Sequence, residues 1–314
     1  MTPPAVVMRA VRKSYAGRPA LNALTMEVHA GEIFGFAGPN GAGKTTAMRV
    51  IMGLAGVDAG TVQVCGARPG SRQALAAAGA LIETPALYPA ASGLDHLRAV
   101  GRWAGVGAGR AEEVLDLVGL GGAGSKKTNA YSLGMKQRLG VATALLKNPR
   151  LLLLDEPANG LDPQGMKDMR TMLIDLRAAG HTVLLSSHLL GEVEQVADRI
   201  GIVVAGRMVV TETPGDLRAR AVPSVIVDAR PADRVPRVLA GAGIVPAAAI
   251  APCDAGFTVV LREVGDGAEE EDAIVRRIVE ILVTAGLSVY RVEPVRANLA
   301  DVFLDLTQRA GGSS

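Results

Sequence analysis

Aromatic side chains are scarce in this 314-residue chain: four Phe, four Tyr and one Trp make up 3% of it. Its core must therefore be packed from aliphatic residues and alanine, and 49% hydrophobic content supplies enough of both. Cysteine is scarcer still. Cys65 and Cys253, far apart in the chain, fit a reduced cytosolic protein better than a disulfide framework. Charge of one sign is lacking too: 33 Lys/Arg against 31 Asp/Glu leave a net +2, which gives no electrostatic ground for nucleic acid or an acidic membrane as partner. The longest apolar run, Val238 to Cys253, is too short to span a bilayer and is broken by Pro246 and Pro252. The first residues lack the charged-then-apolar form of a secretory signal. Any work at a membrane is therefore expected of a peripheral subunit. Internal repeats, heptad runs and a second phosphate-binding loop are also missing.

What is present begins with Gly38-Pro39-Asn40-Gly41-Ala42-Gly43-Lys44-Thr45, with Thr46 beyond it. Two glycines four residues apart, then lysine and a hydroxyl residue, form a phosphate-binding pattern. Glycines let the backbone wrap a triphosphate so that successive N–H groups face the anion. Lys44 can neutralise β/γ oxygens, and Thr45 offers a hydroxyl to Mg²⁺. A helix expected from about Gly43 adds its positive N-terminal end. The plain alternative is a glycine-rich turn with a stray lysine. Context weighs against it, because Glu32–Ala37 reads as a buried strand and Ala47–Leu54 as an apolar helix, the strand–loop–helix setting the pattern requires.

The rest of the chain reads as α/β. Short strands are expected over residues 5–30, with a turn at Ala16-Gly17-Arg18-Pro19, and another strand at 60–66. Helical periodicity runs from about 93 to 147. Leu151–Leu154 is a continuous apolar run, as expected of a central parallel strand covered on both faces. A helix at Gln164–Ala179, a strand at Thr182–Ser186 and a helix at Gly191–Ala197 follow, implying right-handed crossovers and a mostly parallel sheet. The character changes near Arg220. Residues 1–221 hold 24 basic and 18 acidic residues, net +6; residues 222–314 hold 9 and 13, net −4. Beyond that boundary, strands at 225–227, 257–262 and 287–292 with helices at 231–240, 270–285 and 298–308 suggest a small α/β appendage of ferredoxin-like style.

Asp155 and Glu156 follow the leucine run, at the C-terminal strand end where ligands bind in open α/β sheets. There Asp155 would hold Mg²⁺ through water, and Glu156 would polarise an attacking water. Taken alone, a strand end capped by solvated acids is the better reading; the phosphate loop upstream reverses that.

Tyr131-Ser132-Leu133-Gly134-Met135-Lys136-Gln137-Arg138 lies between loop and acidic strand, just before a helix that Ser132 could cap. It resembles the Leu-Ser-Gly-Gly-Gln signature of ATP-binding cassette (ABC) ATPases. Further elements occur in that family's order: Tyr15 where an aromatic stacks on adenine, Asn159-Gly160-Leu161-Asp162 as its D-loop, and His188 as its switch histidine. Six elements in one order across roughly residues 15–190 make the resemblance specific. It implies a P-loop NTPase cassette over residues 1–220, with a RecA-like core, an antiparallel β subdomain and a helical subdomain at about 85–147. A C-terminal accessory or dimerisation domain would occupy 221–314.

Two departures matter. The family's Q-loop glutamine is replaced by Glu83, which when ionised only accepts hydrogen bonds and would add negative charge beside Mg²⁺ and phosphates. The signature carries Leu133 and Met135, while Ser132 and Gly134, whose hydroxyl and N–H would reach a γ-phosphate, remain. Both departures resemble the bacitracin- and lantibiotic-resistance branch of ABC exporters, as does the ending Ala300–Thr307.

By this resemblance ATP sits on Gly38–Thr46 of one copy, with Tyr15 and Glu83 beside it, and is closed by Ser132 and Gly134 of a second copy, with Asp162 nearby, in a head-to-tail dimer. Lys44, Glu156 and His188 would be the catalytic set; Thr45, Asp155 and Glu83 would face Mg²⁺. A separate transmembrane permease would dock near 85–105 and hold the subunit at the cytoplasmic face of the membrane, for export of a drug, antibiotic peptide or lipid-like substrate. Two rivals are a soluble ABC ATPase without a transport partner and a regulatory nucleotide-binding protein. The first usually has two cassettes, coiled-coil arms or zinc modules, none visible here; retention of Lys44, Asp155, Glu156 and His188 argues against the second.

Overall fold

The structure is a computed structural model that describes residues 3–107, 109–220, 224–243, 245–246, 249–261 and 268–295. It divides into two compact units, the first ending at Pro214 and the second beginning at Gly215. The helix expected at 298–308 and the ending at Ala300–Thr307 lie outside the described residues.

The first unit contains two sheets. Strands β1 (Val6–Tyr15), β2 (Arg18–Val28) and, later in the chain, β4 (Ala59–Val64) form an antiparallel sheet in the order β2-β1-β4. Between them come β3 (Ile33–Ala37) and helix α1 (Lys44–Ile51). Then follow α2 (Arg72–Ala77), β5 (Ala78–Leu81) and three helices, α3 (Gly93–Ala104), α4 (Gly109–Leu117) and α5 (Leu133–Leu145). The chain continues through β6 (Leu151–Asp155), α6 (Pro163–Ala178), β7 (Thr182–Ser187), α7 (Leu190–Glu194), β8 (Arg199–Val204) and β9 (Arg207–Glu212).

The main sheet has six strands in the order β5-β6-β7-β3-β8-β9, parallel except for β9. Its central strands are buried on both faces, which is why β3 and β6 read as unbroken apolar runs rather than alternations. Phe34 and Phe36, two of the few aromatics, are fully buried in that layer and share it with Met48 and Ile51 of α1. Gly35 is needed where α7 meets β3: a Cβ there would stand 1.9 Å from Val193 Cγ1. Parallel strands of this kind place all their C-terminal ends, and the loops that follow, on one edge of the sheet.

Several elements have weaker sequence signals. The strands β5, β8 and β9 and helix α2 were not separable by periodicity, being short and rich in alanine, glycine or valine. The two-residue turn Ala16-Gly17 replaces the expected four, since Arg18 and Pro19 already pair with Tyr15 and Ser14.

The second unit comprises β10 (Ser224–Arg230), α9 (Val235–Gly241), β11 (Ile250–Cys253), β12 (Gly256–Val260), α10 (Ala268–Thr284) and β13 (Ser288–Val295); α8 (Pro214–Ala219) straddles the division. Its antiparallel sheet runs β11-β12-β10-β13, so a β-α-β-β-α-β chain forms a split βαβ sheet of ferredoxin-like type. Val225, Val227 and Ala229 alternate inward along β10 against Leu239 of α9 and Ile278 and Leu282 of α10. The strand β11 lies inside the apolar run ending at Cys253, where it shows no alternation.

Candidate nucleotide site

The phosphate-loop residues, the acid after β6 and the histidine after β7 meet at the C-terminal edge of the main sheet. They line a cleft of about 330 Å³ together with Ala20, Asn40, Gly41, Gly43, Thr46 and Asn159. Gly43 caps α1 with φ 103, a left-handed conformation, and no side chain caps the helix. A Cβ on Gly43 would stand 2.4 Å from the Ala20 carbonyl oxygen. Glycine is therefore required twice over, by φ and by contact. The first amides of α1, at Lys44, Thr45 and Thr46, have no acceptor within the helix and mark the cleft as an anion site.

Lys44 is buried, and its ammonium turns back on its own loop. It donates to the carbonyl of Gly38 at 2.7 Å and of Pro39 at 3.3 Å, with Glu156 Oε1 at 3.4 Å. The other carboxylate oxygen of Glu156 accepts from His188 Nδ1 at 2.5 Å. One carboxylate thus joins the lysine of the loop to the histidine after β7. Within the loop Ala42 is buried and its carbonyl accepts from the Gly206 amide at 2.9 Å, and Gly38 N–H donates to the Ser187 carbonyl at 3.3 Å.

Asp155 closes β6 and is buried. Thr45 Oγ1 donates to its Oδ2 at 2.7 Å and Ser186 Oγ to its Oδ1 at 2.5 Å, while Ser186 Oγ accepts from the Glu156 amide at 2.9 Å. In the sequence Ser186 is only the last residue of an expected strand. Its place opposite Asp155 in the parallel register of β6 and β7 gives it a role that no motif spacing shows. Asn159, read as part of a D-loop, lines the cleft itself.

The remaining candidates lie elsewhere in the single chain. Tyr15 ends β1, is 45% exposed and stands under the Lys13 ammonium at 5.3 Å rather than lining the cleft. Glu83 is also outside it: its carboxylate is ion-paired with Arg49 of α1, so in this structure it neither faces the phosphate loop nor adds an unpaired charge there. Ser132 caps α5, accepting from the Met135 amide at 3.3 Å, and Asp162 caps α6, accepting from the Gly165 amide at 3.0 Å. Gly134 follows in the first turn of α5, with Leu161 near it and Leu133 beside Gly160. The signature segment and Gly160–Asp162 therefore adjoin one another away from the cleft of the same chain, while Asn159, at the start of the D-loop, reaches it.

Oxygen donors alone face one another at Thr45 and Asp155, a hard-cation donor set. Among the described residues no group of three or more His, Cys, Asp or Glu could cage a metal. Magnesium, which keeps waters and takes one or two protein ligands plus substrate phosphates, fits such a sparse set.

Comparison with known proteins decides the family. Residues 21–159 match the ABC transporter family. An uncharacterized ABC transporter ATP-binding protein of Bacillus subtilis is 36% identical over 304 residues, covering 96% of this chain and 95% of that protein. This chain belongs to the ABC transporter family. It is an ATP-binding subunit of that family and an ATPase. A lantibiotic transport ATP-binding protein of Streptococcus pyogenes is 40% identical over 199 residues, 63% of this chain and 86% of its own length. The solved structure of an ATP-binding subunit of an ABC transporter superposes with a TM-score of 0.61 at 28% identity, over 69% of this chain and 92% of its own. That likeness confirms the P-loop cassette fold expected from the motifs. Among the described residues no helix is long and apolar enough to cross a membrane.

Proposed function

We propose that this subunit hydrolyses ATP in the cleft above α1 as half of a head-to-tail pair, and that the cycle drives export of a drug, antibiotic peptide or lipid-like substrate through a separate permease. The observation that carries the reading is the Lys44–Glu156–His188 chain across a cleft whose floor is the uncapped start of α1. A triphosphate entering there replaces the two carbonyls and the carboxylate as partner of Lys44, and takes the free amides of Lys44, Thr45 and Thr46. Glu156, released from Lys44, orients water toward the γ-phosphorus and accepts its proton, while His188 holds the other carboxylate oxygen. Thr45 and Asp155 would hold magnesium, which supplies charge neutralisation at the β and γ oxygens when bound.

The pair is proposed because Ser132 and Gly134 stand clear of their own chain's cleft, where a second copy's phosphates could meet them. ATP then favours the closed pair and hydrolysis removes that preference, which shifts the permease between its states. Asp162 and the D-loop would lie in the same interface, and Tyr15 would stack on adenine once nucleotide enters. The lantibiotic relative supports an antibiotic peptide as cargo, and the permease would keep the subunit at the cytoplasmic face of the membrane. The second unit is proposed to stabilise the pair.

Steady-state ATPase measurement, with and without the membrane protein that co-purifies in detergent, tests the reading. Turnover stimulated by that protein is expected. Turnover with no membrane protein bound at all would favour a soluble ATPase instead.

A further inference from the structure

Three carboxylates gather at neighbouring strand ends. Strands β5 and β6 run parallel with Leu81 opposite Leu154, so Glu83 follows β5 in step with Glu156 after β6, and Asp155 is the last residue of β6 itself. Adjacent strands stand about 4.8 Å apart. Two of these acids are held by the nucleotide machinery: Asp155 by Thr45 and Ser186, Glu156 by Lys44 and His188. The third, Glu83, is held by Arg49.

Arg49 and Thr45 sit four residues apart on α1, hence on one face and one turn from each other. Glu83 is thus a helical turn from the hydroxyl that faces Asp155, yet its charge is directed to a guanidinium. Its backbone is also constrained: Glu83 has φ 66, as Glu156 has φ 49, left-handed values that are uncommon outside glycine and cluster at functional sites.

We propose that Arg49 is a positioning residue for Glu83, neutralising its carboxylate and holding it off the cleft so that magnesium-loaded nucleotide competes with Arg49 for it. The proposal rests on the cleft being the ATP site. A free carboxylate at this strand end would repel a triphosphate and attract a hard divalent cation. Paired with a guanidinium it does neither. Both side chains are about half exposed, so the ion pair is weak enough to exchange partners as the site fills. The exchange ties α1, which begins at the phosphates, to the segment that follows β5.

The test is a double-mutant cycle on the full chain, read by fluorescence titration with a non-hydrolysable fluorescent ATP analogue, once with magnesium and once with EDTA. The quantity compared is the ratio of the two affinities. Arg49→Ala is expected to raise that ratio by about threefold to fivefold, the range of an exposed ion pair. In a Glu83→Gln background the same substitution is expected to leave the ratio unchanged, and Arg49→Lys is expected to restore the wild-type value. An unchanged ratio in Arg49→Ala, or an equal change in both backgrounds, would overturn the proposal, because Arg49 would then act without Glu83. Failure of the wild-type chain to bind the analogue would overturn the nucleotide-site reading and this proposal with it. Binding with a null cycle overturns this proposal alone.

Discussion

His188 Nδ1 stands 2.5 Å from Glu156 Oε2, while the opposite oxygen of the same carboxylate faces the Lys44 ammonium at 3.4 Å. Glu156 is thereby fixed at both oxygens before any substrate arrives, and general bases held in this way contribute about 10²- to 10⁴-fold to rate. Glu156→Gln keeps the shape and removes the proton acceptor. We expect it to bind ATP, to hydrolyse it about 10²- to 10⁴-fold more slowly and to accumulate as a dimer on size exclusion with ATP. Wild-type turnover by this variant would remove Glu156 from the base role.

Ser186 connects the two acids, donating to Asp155 and accepting from the Glu156 amide. Ser186→Ala leaves that partly buried amide without its acceptor, which costs about 1 kcal/mol. Loss of both ATPase rate and denaturant midpoint is expected, with the larger proportional effect on rate because Asp155 also loses its orientation. A variant with the wild-type rate would show that Thr45 alone positions Asp155.

How much of this was legible in the sequence follows from which physics is local. The phosphate loop, the acid pair and the strand β6 carry their meaning in consecutive residues, because a wrapped loop and a doubly covered strand are properties of short segments. The cap at Ser132 was legible for the same reason. Ser186 and Arg49 were not, since each acts through a partner 31 or 34 residues away: the register of β6 and β7 brings Asp155 to Ser186, and the packing of α1 beside the segment after β5 brings Glu83 to Arg49. Glu83 was legible as a departure, but its pairing was not: the sequence puts a negative charge near the phosphates, and the fold supplies Arg49 to neutralise it. Strand β5 was hidden because its alanines and glycine give no alternation to read, and β11 because Ile-Ala-Pro-Cys carries a proline and no apolar–polar alternation.

Gly43 tests the loop itself. Its φ of 103 and the 2.4 Å approach that a Cβ would make to the Ala20 carbonyl leave no room for a side chain. Gly43→Ala is expected to weaken ATP binding at least about tenfold, as moving the loop by a fraction of an ångström misaligns several amides together. Thermal stability should fall less, because the loop lies at the sheet edge rather than in the core. Equilibrium binding of a fluorescent nucleotide decides it, and unchanged affinity would mean that the amides of α1 are not the phosphate contacts.

His96 gives the chain a pH response separate from catalysis. It is buried on α3, and its Nε2 lies 3.2 Å from Thr143 Oγ1, a hydroxyl that itself donates to the Leu139 carbonyl. Thr143 must therefore accept from Nε2–H, which leaves Nδ1 as a bare acceptor, and that nitrogen has no partner. Burial disfavours the imidazolium and pushes the His96 pKa below its ordinary 6.5. The unfolded chain consequently takes up a proton on His96 before the folded one does. Stability tied to this residue is fully present above pH 6.5 and is lost as the pH falls from there toward the depressed folded value. His96→Phe keeps the ring and removes the titration. The difference in urea midpoint between wild type and His96→Phe should shift against the wild type when the pH is lowered from about 7.5 to about 5.5. A difference that stays constant over that interval would mean that His96 becomes protonated inside the folded chain as readily as in water.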